Sequence, residues 1–105
     1  MEHHPPDPPL LRVVDALDHP HGHRILRTRL IGGSSPRVRE LRGARFEAHG
    51  PEGKTVDLRV VGFPLFGGTP SDARIRASGR VDLVVDGGED ARAVDRTWKL
   101  RPRTV

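Results

Sequence analysis

The stretch KTVDLRVVG at 54–62 decides the fold class. Val56, Leu58 and Val60 recur at every second position, with Asp57 and Arg59 between them. A period of two sends alternate side chains to opposite faces, the signature of a strand buried on one side. GPEG at 50–53 has hairpin-turn composition, and ARFEAH at 44–49 alternates in the same way. Further towards the N-terminus, HRILRTRLI at 23–31 places Leu26, Thr28 and Leu30 on one face and Arg27 and Arg29 on the other. The turn DHPHG (18–22) joins it to a short apolar run, LLRVVDAL (10–17), and Val38, Arg39 and Glu40 are expected to form a further short strand. Towards the C-terminus come a Gly/Pro loop at 63–72 (FPLFGGTPSD), a strand at 80–86, the turn GGED and a final strand expected at 93–101.

No segment sustains a period of 3.6. Six or seven short strands with frequent turns predict an all-β domain, and closure into an antiparallel β-barrel leaves the fewest exposed edges at this size. Strand parity predicts a core of Leu11, Val13, Leu26, Leu30, Phe46, Val56, Leu58, Val60, Phe66, Val81, Leu83 and Val85.

Composition agrees. At 105 residues the chain has the length of one domain. Its 12 glycines and 10 prolines exceed a fifth of the residues, which excludes a long helical bundle. The absence of cysteine excludes disulfides, cysteine zinc sites, iron–sulfur clusters and a thiol nucleophile. No apolar run approaches the roughly 20 residues of a membrane span. Residues 1–9 are Pro-rich with no apolar segment of a secretory signal, and are expected to form a flexible lead to a single domain at 10–105 in a cytoplasmic protein.

At this point the order of segments resembles the translation-factor β-barrel, domain 2 of elongation factor Tu. The family pattern P-x-x-x-x-V-E-D-V-F-x-I-x-G-x-G-T-V-V-T-G-R-V-x-x-G runs without a gap along PPLLRVVDALDHPHGHRILRTRLIGG, Pro8 to Gly33. Val13, Asp15, Ile25, Leu26, Arg29, Leu30 and Gly33 fall on matching types. Leu41 to Gly50, Val60 to Phe66, Ser78 to Val85 and Arg96 to Pro102 are similar to the later segments, so the likeness covers about residues 8–105. It implies a barrel without its GTPase domain, since the chain carries no phosphate-loop motif. It does not carry over the family's pocket for the aminoacylated end of tRNA. The pocket acid falls on Pro64, the following Arg on Gly67, the Asn near Arg80, and the turn glycines on His21 and His23.

The formal charge of +4 rests on 16 arginines and only two lysines, Lys54 and Lys99. Arginine's planar fork suits phosphate recognition. Arg24, Arg27, Arg29, Arg37, Arg39, Arg42 and Arg45 stand against Glu40 alone in 24–45, whereas 81–95 is acidic. This basic segment is the candidate nucleic-acid contact; the alternative is a solvated face paired to those acids. Phe63, Leu65 and Phe66 form a candidate partner-binding loop. His19, His21 and His23 alternate, but Pro20 and Gly22 imply a turn that scatters them, so no metal is expected. No serine sits in a nucleophile elbow, and Glu47 and His49 alone lack specificity. The expected protein is a stand-alone non-enzymatic binding module without a cofactor. Its partners would be RNA or ribosome-associated proteins, or else a protein partner or a second copy, with no membrane.

Overall fold

The alternating stretches pair as their parity requires. In the computed structural model, which describes residues 7–65 and 68–103, six strands form: β1 (Leu10–Asp18), β2 (Arg24–Gly32), β3 (Arg45–His49), β4 (Thr55–Gly62), β5 (Arg80–Asp86) and β6 (Lys99–Pro102). Every neighbouring pair is antiparallel, and the order β1-β2-β5-β4-β3-β6 returns from β6 to β1, giving a hydrogen-bonded ring. The ring is barrel-like but uneven: the β6–β1 ladder pairs Leu11 with Leu100 and Arg12 with Lys99, and backbone bonds from Val13 N–H to Trp98 O (2.8 Å) and from Thr97 N–H to Val13 O (2.9 Å) extend the seam beyond β6. Irregularities interrupt β1 and β4.

Antiparallel order also fixes the two ends. The connections leaving β2 and β4 lie at one end and carry two short helices, α1 (Val38–Leu41) and α2 (Asp72–Ser78). The connections at the other end are 3₁₀ turns at Pro20–Gly22, Pro51–Gly53 and Gly88–Ala93. Asp72 ties the helices together, its carboxylate accepting from the Val38 N–H at 2.8 Å.

Ten of the core residues expected from parity are buried; Leu30 is half-buried against that core, and Phe66 lies outside the described residues. Leu41 and Ile75 contribute from α1 and α2, while Ala91, Val94 and Trp98 come from the segment before β6. The Trp98 ring packs against Gly50, where any Cβ would overlap it.

Three expectations are corrected. Residues 38–40 are helical, not extended: one turn brings Leu41 round into the core, and the N–H groups of Leu41 and Arg42 bond back to Arg37 and Val38. Helix α2 forms where no helical period is visible because it buries a single side chain, Ile75. Its sequence signal is in its caps. Ser71 accepts from the Arg74 N–H, and Gly79 ends the helix at φ 69°, which favours glycine. The last strand begins at Lys99 rather than 93, because a turn closes from the Trp98 N–H to Asp95 O with Thr97 at φ 75°. The ring therefore has six strands among the described residues.

Candidate nucleic-acid interface

The site is built by register. Strand β1 is irregular between Val13 and Asp15, and the unpaired residue is Val14. Because one residue is spent there, Arg12 stands opposite Arg29 while Asp15 stands opposite Arg27. An even ladder would have turned Asp15 towards the core. On the other side of β2, Arg29 stands opposite Arg80 and Arg27 opposite Asp82. On the far side of β1, Arg12 stands opposite Lys99. Inside the ring, the Thr28 hydroxyl donates to Val81 O at 2.8 Å and holds this β2–β5 register.

Two neighbouring rows on the outer face therefore differ in kind. The row Asp15–Arg27–Asp82 alternates in sign, and Arg27 reaches Asp82 at 3.8 Å. The row Lys99–Arg12–Arg29–Arg80 is cationic across four strands. All four side chains are exposed, and none makes an ion pair with another described residue. Like charges directly opposite one another oppose sheet formation. Among the described residues no acidic side chain pairs with this row.

Arg12, Arg29 and Arg80 lie on the floor of a cleft of about 690 Å³. Helix α2 walls it with Arg74, and residues 63–64 and 68–70 wall it with Phe63, Pro64 and Thr69. The Arg74 guanidinium donates to Thr69 O at 3.5 Å, so the two walls meet. Counting Arg27, five arginines and one aspartate line the cleft, and that aspartate, Asp82, is engaged by Arg27. The local charge of +4 equals the formal charge of the whole chain. Ser78, on the wall, has its hydroxyl committed to Arg74 O at 2.8 Å. The chemistry on offer is multidentate binding of an anion by guanidinium forks.

Of the seven arginines singled out in the sequence, the cleft gathers Arg27 and Arg29. Arg24 is at the opposite end of the ring, half-buried, donating to Asp18 at 3.0 Å and to Val94 O at 3.1 Å. Arg37 pairs with Glu40 at 3.8 Å, and with Arg39 it borders a second cavity of about 650 Å³ lined by Pro8, Pro36, Phe46 and Pro102. Arg42 lies over the Phe63 ring at 5.3 Å. Arg45 is on β3 opposite Arg59. Arg12, Arg74 and Arg80 join Arg27 and Arg29 from outside the 24–45 segment. Parity alone puts Arg12 and Arg80 on the outer face, but the order of strands that makes them neighbours is not written in any local pattern.

In the candidate partner loop, Phe63 is half-buried under Arg42, Leu65 is 100% exposed and Phe66 lies outside the described residues. In the histidine turn, His19 and His23 stack at 6.3 Å, while His21 adopts φ 67° between them. No group of three or more metal-ligating side chains occurs among the described residues. His49 and Glu47 are 2.8 Å apart on β3, away from the cleft. Arg103 is held above the usual arginine range by its hydrogen bond to Asp57 and by that residue's charge.

No protein-family model matches the chain, and no significant match was found among curated proteins or solved structures.

Proposed function

We propose that the protein is a non-enzymatic binding module that contacts RNA through the cleft floored by Arg12, Arg29 and Arg80. We read its ring of six antiparallel strands as a barrel of the elongation factor Tu domain 2 kind. The observation that carries the functional reading is the cationic row across β6, β1, β2 and β5. Cross-strand pairing normally selects against such a row. An external polyanion supplies the missing countercharge. The reading differs from the family's recognition of the tRNA end, whose polar partners are replaced at Pro64 and Gly67.

The test is binding of a fluorescent oligouridylate over a range of salt. Three phosphate contacts on a single strand give a log–log slope of about −2. Arg29→Ala with Arg80→Ala is expected to weaken binding and flatten that slope, while Arg45→Ala, on another part of the ring, leaves both unchanged. Equal binding by all three proteins would remove the reading.

A second reading, docking of a protein partner through the 63–72 loop, has one observation in its favour: the complete exposure of Leu65 beside the half-buried Phe63. It predicts salt-tolerant capture of a specific protein that Leu65→Ser abolishes.

A further inference from the structure

We infer that the cleft recognises a run of consecutive phosphates laid across the strands, and that it does so without reading bases. This rests on the RNA reading of the same site and narrows it to phosphate chemistry. Arg12, Arg29 and Arg80 are direct register partners on three adjacent strands. Neighbouring strands are about 4.8 Å apart, so the row spans roughly 10 Å and side chains on one face project in parallel. A chain of phosphates running perpendicular to the strands meets the three stems in turn, each arginine taking its own phosphate without bending towards its neighbours. The pairing of Arg27 with Asp82 makes the next row a poor second track.

Among the described residues, base recognition has few of its usual parts. Single-strand binders that hold bases do so on aromatic faces. Among the described residues the aromatic in the cleft wall is Phe63, which is half-buried and has the Arg42 guanidinium over its ring at 5.3 Å. The rest of the wall is Arg74, Ala77 and Ser78 of α2 with Gly68, Thr69 and Pro70. Contacts to phosphate position a ligand without reading its sequence. The shared ligand chemistry is therefore a polyphosphate, supplied by an RNA backbone or by free polyphosphate.

The experiment displaces the fluorescent oligouridylate, at fixed ionic strength, with inorganic tripolyphosphate and with orthophosphate. Direct binding of tripolyphosphate is measured by calorimetry. Two added charge-assisted contacts at about tenfold each make tripolyphosphate roughly a hundredfold stronger than orthophosphate. Arg29→Ala is expected to abolish that advantage, and Arg45→Ala to keep it. If oligouridylate binds and depends on Arg29 but tripolyphosphate is no better than orthophosphate, the inference is overturned and the RNA reading stands. If tripolyphosphate binds through Arg29 and oligouridylate does not, the inference holds for free polyphosphate and the RNA reading fails. If neither binds, both fail.

Discussion

Arg29 on β2 stands directly opposite Arg80 on β5, while two residues away Arg27 stands opposite Asp82. The same pair of strands thus carries one repulsive and one attractive cross-strand position on the same face. Cross-strand pairs contribute about 0.2–1 kcal/mol, with like charges on the unfavourable side. Replacing Arg29 by threonine removes two repulsive contacts and introduces a β-branched residue favoured in strands. Arg29→Thr is expected to be more stable than the parent by about 0.5 kcal/mol in urea denaturation, while losing affinity for oligouridylate. A variant that is both less stable and unchanged in binding would show that Arg29 serves the fold instead.

The register itself depends on Thr28. Its hydroxyl is buried and donates to Val81 O, one residue from each member of the Arg29–Arg80 pair. Thr28→Val keeps the shape and β-branching but deletes the bond, costing about 1 kcal/mol. The expected readout is a lower urea midpoint and faster amide exchange along β2 and β5. No change in either would mean that the ladder alone sets the register.

Gly50 accommodates the ring of Trp98, the only tryptophan in the chain. An alanine there meets the indole, so Gly50→Ala is expected to destabilise the protein by about 1–3 kcal/mol and to shift the tryptophan emission to the red. Cleft binding, near the helical end, is expected to persist at temperatures where the variant stays folded.

Arg42 over Phe63 ties the segment after α1 to the loop after β4. An exposed cation–π contact is worth about 0.5–1 kcal/mol. Arg42→Ala should lower stability by that amount and raise amide exchange in residues 62–65 and 68–70. Tripolyphosphate affinity should be nearly unaffected, because Arg42 does not line the cleft. A loss of affinity comparable to that of Arg29→Ala would extend the site to Arg42.

The strands were legible wherever one face was apolar and the other charged, as along 54–62 and 23–31, because a period of two has no competing reading there. The helices were not. Helix α1 is four residues long and α2 buries only Ile75, so neither leaves a periodic stripe. The Ser71 and Gly79 caps were the readable trace of α2. The segment before β6 resembles a strand in sequence because Val94 and Trp98 are apolar and buried although they lie in a turn outside the strand. The cleft was half legible. Arg27 and Arg29 share a face on one strand, but Arg12 and Arg80 join them only through the β1-β2-β5 order and the irregularity at Val14. Both are long-range facts that no local window contains.

The central claim is that one cationic row, rather than arginine content in general, holds the ligand. Its most direct measurement is an NMR titration following the arginine Nε–Hε resonances as oligouridylate is added. Saturable shifts are expected at Arg12, Arg29, Arg80 and Arg74, with Arg45, Arg59 and Arg103 unmoved. Shifts of similar size spread over all the exposed arginines, or centred on Arg45 and Arg59, would contradict it.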